Sequence, residues 1–300
     1  MGVCRVVSVS GGKDSTALYL WAIEQFGKDG FYPVFADTGH EHPVTLNYLR
    51  NLPDWSGGPA INWVSGDFRE RLEKRFTTNP LKPRSDQAQS MIDRNREWIE
   101  EKGWTTGNAF LDLIVWKGRV PSTKAQFCTE HLKLHPIRGF IESVRGEDEV
   151  ENYVGIRAGE SARRAKMEEK SFDSFFDCYV YRPLLRWSEA DVFQFLKSKG
   201  IAPNPLYEAG FTRVGCFPCI HARKSELARL PDWVWEKLEE WEKIVGRSWF
   251  PPGLVPGVLI PTTKDAREWS KTTRGGREFD LFAPDGKDVP SCMSTWGACE

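Results

Sequence analysis

The chain has 300 residues, 40% of them hydrophobic, with a formal net charge of −1. That length admits one large domain or two smaller ones, and the near-neutral balance excludes a global basic field recruiting nucleic acid, though not a local patch. No run of 18 apolar residues occurs and no signal-peptide apolar region precedes the first strand, so a cytoplasmic protein without a membrane partner is expected.

Cys4 to Val9 reads as a buried strand, β-branched at Val6, Val7 and Val9. Ala17 to Ile23 reads as the body of a helix ending near Gly27. Between them lies Ser10-Gly11-Gly12-Lys13-Asp14-Ser15-Thr16. Small residues there let the backbone approach an anion, and the helix start supplies N–H groups and partial positive charge. Lys13 adds a full charge, and Ser10, Ser15 and Thr16 add hydroxyls, so the expected ligand is phosphate. The loop is not a Walker A motif, because Asp14 follows Gly12-Lys13 and Val7 stands where the first glycine belongs.

Residues 31–36 read as a second strand that brings Asp37 to its C-terminal end, where open α/β sheets bind ligands. A helix from about Pro43 to Arg50 and a strand from Ile61 to Val64 follow. The β-α-β-α-β alternation implies a parallel sheet with right-handed crossovers. Ser85 to Lys102 reads as an amphipathic helix with Met91, Ile92, Trp98 and Ile99 on its apolar face, stopped by Gly103. Asn108 to Trp116 fits a short helix or a strand. A helix runs from Gln126 to about Val144, and strands follow at Asn152 to Arg157 and Tyr179 to Pro183. Ser188 with Asp191 three residues on caps a helix that ends at Gly200.

From about residue 217 the chain becomes rich in tryptophan. Trp235, Leu238, Trp241 and Val245 share helical spacing, and a core-facing stripe explains them better than base stacking. The expected organisation is a nucleotide-binding α/β domain over residues 1–215 and a Cys- and Trp-rich, mostly helical extension over 216–300.

Seven cysteines in a reducing compartment favour metal, redox or catalytic roles over structural disulfides. Cys216-Phe217-Pro218-Cys219 supplies two thiols, Cys128 a third, and Cys292 or Cys299 a fourth. Four thiolates suit either zinc or a [4Fe–4S] cluster. Cys4 and Cys178 sit in strand patterns and read as core residues.

Ser10 to Ser15 resembles the PP-loop of the ATP-pyrophosphatase superfamily, whose members act at the phosphates of an adenine nucleotide. Phe35-Ala36-Asp37-Thr38-Gly39-His40-Glu41 narrows the resemblance to the phosphoadenosine phosphosulfate (PAPS) reductase family. Cys128 with Lys133 and Pro136, Arg157 to Arg164, Pro205-Leu206-Tyr207 and Gly215-Cys216 continue the family order, so the likeness covers about residues 3–222.

The resemblance implies a doubly wound parallel α/β sheet of the adenine nucleotide alpha hydrolase type. It implies ATP, or PAPS or adenosine phosphosulfate (APS), bound by Ser8, Ser10, Gly11, Gly12, Lys13, Asp14, Ser15, Thr16, Asp37, Gly155 and Arg157, with Mg²⁺ in the ATP case. Arg157, Ser161, Arg163 and Arg164 would bind substrate, since arginines at a strand end grip phosphate or sulfate bidentately. Lys13, Asp14 and Cys299 are the expected catalytic residues, and Cys128, Cys216, Cys219 and Cys292 the expected metal ligands.

The family's reductases place their nucleophilic cysteine in a Glu-Cys-Gly-Leu context, whereas this chain reads Gly297-Ala298-Cys299-Glu300. Its single Cys128-Thr129, where APS reductases carry two cysteines, resembles the DNA-phosphorothioation branch. The favoured expectation is therefore an ATP pyrophosphatase activating a nucleic-acid acceptor, DNA or tRNA, for sulfur from a cysteine desulfurase. The alternatives are a PAPS or APS reductase releasing sulfite, and a nucleotide-sensing subunit of a DNA-modification complex. An oligomer is compatible with each.

Overall fold

The computed structural model describes residues 2–78 and 86–274; Cys292, Trp296 and Cys299 lie outside the described residues. The strands are β1 (Val3–Ser8), β2 (Tyr32–Asp37), β3 (Asn62–Ser65), β4 (Glu149–Tyr153), β5 (Lys170–Asp173) and β6 (Cys178–Tyr181). They form one sheet in the order β3-β2-β1-β4-β6-β5. All neighbours pair parallel except β5, which runs antiparallel to β6 at the edge.

The helices are α1 (Lys13–Phe26), α2 (Pro43–Ser56), α3 (Arg69–Thr77), α4 (Asp86–Glu101), α5 (Ala109–Lys117), α6 (Phe127–Thr129), α7 (His135–Val144), α8 (Glu189–Ser198), α9 (Lys224–Ala228), α10 (Asp232–Val245) and α11 (Thr263–Ser270). A π-helical turn, Glu130–Leu134, joins α6 to α7.

Alternation along β1 explains the layers. Val7 and Val9 face a core built with Leu18 of α1, Leu49 and Leu52 of α2, and Val192 and Leu196 of α8. Cys4 and Val6 face the other side, against Ile137 and Ile141 of α7. The central stretch of this strand is apolar on both faces, as burial between two layers requires, with Arg5 half-buried and paired with Glu151. The chain winds from β1 through β2 to β3, then crosses to β4 on the other side of β1, so the order reverses between β1 and β4. That is the doubly wound topology, and its reversal point is where such sheets open a crevice.

Gly155, just beyond β4, lies at this point. A Cβ there would meet the backbone oxygen of Asp14 at 3.0 Å, and Asp14 C and Ser15 N at 3.1 Å. Backbone at a helix start cannot yield as a side-chain tip can. Gly155→Ala is therefore expected to cost about 1–3 kcal/mol through overpacking. Gly159→Ala, with nothing within 4 Å of its Cβ, is the control, and urea unfolding of both checks the difference.

By contacts the described residues fall into two compact units: one of residues 2–65 and 129–221, the other of 66–78, 86–128 and 222–274. Residues 66–128, placed by the linear reading with the α/β domain, thus group with the tryptophan-rich segment. Within this second unit Phe110 of α5 stacks on Trp241 of α10 at 5.8 Å, and Trp249 packs 5.7 Å from both rings. Trp235 and Leu238 are fully buried, so the stripe is core. Asn108 caps α5 by accepting from the Leu111 N–H, which resolves that segment as helix.

Candidate functional site

The glycine-rich loop leaves β1 and enters α1 at the reversal point, and the loop's own groups hold its shape. Ser10 N–H donates to Ser15 Oγ at 3.0 Å, and Ser15 Oγ donates to the Gly12 carbonyl at 3.1 Å. Thr16 is fully buried beside Tyr48. The Ser15 hydroxyl, expected to face a ligand, thus hydrogen-bonds within the loop, and the Thr16 side chain is buried behind it. Gly11 has φ +78°, and a Cβ there would meet Thr45 Cγ2 at 2.9 Å, so two demands make it glycine.

A second segment clamps the loop from outside. Asn204 Nδ2 donates to the Gly11 carbonyl and to Thr45 Oγ1, each at 3.2 Å. Thr45 Oγ1 donates to the Val214 carbonyl at 2.7 Å. The Tyr207 hydroxyl accepts the Lys13 N–H at 3.0 Å. No local pattern foretells these roles; only the alignment of Pro205-Leu206-Tyr207 with the family order hinted that the segment mattered.

Lys13 Nζ lies 3.3 Å from Asp14 Oδ2, 3.4 Å from Glu189 Oε1 and 5.5 Å from the centre of the Tyr207 ring. Asp14 is fully buried and ion-paired with Arg157, itself 6% exposed. Its carboxylate, expected to face the chemistry, ties α1 to the segment after β4 and also meets Lys13. Arg164 is buried and paired with Glu160, while Arg163 is exposed and Ser161 accepts the Arg164 N–H at 3.2 Å. Arg157 and Arg164 thus each meet a carboxylate already in the chain. Asp37 ends β2 and accepts the Gly39 N–H at 2.9 Å.

A cleft lies against this edge, lined by Ser8, Val9, Ser10, Phe35, Ala36, Glu41, Lys133, Ile137 and Gly215. Glu41 and Lys133 are the cleft residues to which sequence reasoning assigned no role. The available signal was a carboxylate placed just past a parallel strand's C-terminal end. Glu41 accepts from Thr38 Oγ1 at 2.6 Å, Thr38 N–H at 3.2 Å and His40 N–H at 3.1 Å. Burial pushes its carboxyl from 4.5 up to about 7, against the opposing pull of the Thr38 hydrogen bond and Lys133.

Between those two pH values the folded chain keeps a proton that the unfolded chain has released. Stability contributed by this group falls as pH rises through the window, by at most about 1.4 kcal/mol per unit. Glu41→Gln should therefore gain stability relative to wild type between pH 5 and 8. Parallel urea midpoints across that range would contradict the assignment.

Cys216 and Cys219 are of intermediate exposure and form no disulfide. Their loop is fastened to the segment after β2: Glu41 and Cys216 form an antiparallel bridge, Phe217 N–H donates to the His40 carbonyl at 2.6 Å, and Thr38 Oγ1 lies 3.7 Å from Cys216 Sγ. Two thiols held at the cleft's edge suit a metal or cluster. Cys128 belongs to the second unit. Cys4 and Cys178 are core residues whose thiols burial pushes up, Cys178 to about 12.

The profile of the phosphoadenosine phosphosulfate reductase domain matches residues 65–222, just over half of the chain. The chain belongs to the PAPS reductase family. Among relatives of this family member, the 37.8 kDa protein in the gpa 5′ region of Escherichia phage 186 is 41% identical, with 99% of this chain and 96% of the relative covered. An adenosine 5′-phosphosulfate reductase of Neisseria meningitidis is 34% identical over 67% of this chain and 65% of its own length. A crystal structure of PAPS reductase from Candida auris, a phosphate complex, aligns at TM-score 0.43 and 14% identity, covering 73% of this chain and 83% of that one. The glycine-rich loop precedes the matched segment. No described helix is long and apolar enough to cross a membrane.

Proposed function

We propose that this PAPS reductase family member is an ATP pyrophosphatase that activates an acceptor for sulfur insertion. The observation carrying the proposal is the loop itself: a helix start and Lys13 at the reversal point of a doubly wound sheet, beside a cleft. The preference for ATP over a sulfonucleotide rests on the single Cys128-Thr129, where APS reductases carry two cysteines, which resembles the family's DNA-phosphorothioation branch.

In this reading an acceptor oxygen attacks the α-phosphorus of ATP. The bond to the bridging oxygen of the β-phosphate breaks and pyrophosphate leaves. The terminal sulfur of a persulfide on the donor protein then displaces AMP from the adenylated acceptor, and a second thiol cleaves the acceptor–donor disulfide so formed, leaving sulfur on the acceptor and a disulfide between that thiol and the donor cysteine. Lys13 stabilises charge gathering on the phosphates, and Mg²⁺ bound with ATP shares that charge. Arg157, fixed by Asp14, and Ser8 and Ser10 border the nucleotide. Cys216 and Cys219 would supply two thiolates to a cluster or zinc ion, which brings redox or structural support when bound. The acceptor is DNA or tRNA, and the donor a cysteine desulfurase.

The likeness to APS reductases favours a second reading, in which PAPS or APS is reduced to sulfite. Incubating reduced, metal-loaded protein separately with labelled ATP, PAPS and APS, with and without DNA and tRNA, separates the two. Pyrophosphate from ATP supports the first. Sulfite from a sulfonucleotide in the presence of a thioredoxin-type reductant, with no pyrophosphate under any condition, reverses the order.

A further inference from the structure

We infer that the π turn between α6 and α7 carries a binding site for one divalent transition-metal ion of the zinc class, formed by Glu130, His131 and His135. These three side chains bring ligand atoms within 4.8 Å of one another. His135 Nε2 lies 3.5 Å from Glu130 Oε1. Zinc bonds of about 2.0–2.1 Å to imidazole and carboxylate separate tetrahedral donors by about 3.3 Å, so this pair already stands at ligand spacing. The imidazoles of His131 and His135 stack nearly parallel, with ring centres 5.5 Å apart and planes 12° from each other.

The backbone explains the convergence. In an α-helix, residues five apart diverge by about 140° around the axis. Here the His135 N–H donates to the Glu130 carbonyl, the i→i+5 bond of a π turn, which brings those two residues onto one face. His131, four before His135, joins the same face. Phe175 packs edge-on against the His135 ring at 5.3 Å and restricts its rotation. His131 is nearly buried, while Glu130 and His135 are open to solvent. The set is two imidazoles and one carboxylate with an outward side for water, a donor class that suits zinc, cobalt and nickel.

An exposed ion pair would explain Glu130 and His135 alone. His131, largely buried, adds a third donor on that same face. The same turn carries Lys133 to the cleft wall on its other side. An ion at Glu130, His131 and His135 therefore staples the segment that positions Lys133, independently of the cysteines.

The test is equilibrium dialysis of the full chain with Co²⁺ and with Zn²⁺, with cobalt absorption recorded. In Cys216→Ser with Cys219→Ser, as in wild type beyond whatever those thiols hold, one equivalent should bind with d–d bands of nitrogen and oxygen ligation and no thiolate charge transfer. His135→Gln should weaken it by more than about 100-fold, and Glu130→Gln by at least about tenfold, by comparison with the loss of supporting groups at metal sites. Both positions are solvent-open, so the test survives if His131→Gln does not fold. Unchanged affinity in both variants, or binding that disappears only in Cys216→Ser with Cys219→Ser, overturns the site.

Discussion

Asp14→Ala is expected to lower unfolding stability by about 3–5 kcal/mol, because it removes the carboxylate opposite a buried guanidinium. Asp14 is fully buried and Arg157 nearly so, and the two lie 143 residues apart in sequence. Their pairing joins the first turn of α1 to the segment beyond β4, across the reversal point of the sheet. Replacing both by apolar residues of similar size, Asp14→Leu with Arg157→Met, should recover most of the loss, since no charge is then left buried without its partner. Denaturant unfolding of the two single variants and the double variant gives the coupling energy directly. If Asp14→Ala cost under about 1 kcal/mol, the carboxylate would not be the structural tie described above, and its expected part in catalysis would regain its place.

The second large effect is on ligand binding. Lys13→Ala should weaken binding of the working nucleotide by about 1.5–3 kcal/mol, the range for a hydrogen bond to a charged group, or roughly 10- to 100-fold in Kd. Its ammonium is held between Asp14, Glu189 and the Tyr207 ring, so it is already ordered before a phosphate arrives. Preordering lowers the entropy cost of the contact. Lys13→Arg, which keeps the charge but alters the reach, should lose less. Calorimetry with ATP, PAPS and APS measures all three proteins, and a Lys13→Ala affinity equal to wild type for whichever nucleotide binds would remove Lys13 from the site. Thermal unfolding alongside separates lost affinity from lost stability, since Lys13 also pairs with the buried Asp14.

Much of the architecture was legible because its signals are local. The apolar run before Ser10, the glycines that follow, and the helix body ending at Gly27 mark β1, the loop and α1 within thirty residues. Ser188 and Asp191 form their capping box where the pattern predicts it. Alternation of strand and helix then implies parallel order, since a crossover helix must return the chain in the same direction. The family motifs placed the loop and the Cys216-x-x-Cys219 turn in one protein without showing how they meet.

Tertiary structure decided the rest, and the reason is the same in each case. Strand β5, Lys-Ser-Phe-Asp, is half-exposed and carries no β-branched run, so only pairing with β6 makes it a strand. The π turn differs from an α-helix by one hydrogen-bond register, which residue spacing does not encode. Asp14 and Ser15 read as ligand groups in the motif because their hydroxyl and carboxylate are chemically suited to it. Their real partners are Arg157, across the sheet, and the loop's own backbone, and burial against those partners is a property of the packed molecule. Residue type and spacing thus determined where the glycine-rich loop stands in this protein, while long-range packing decided which of its side chains are already engaged within the chain.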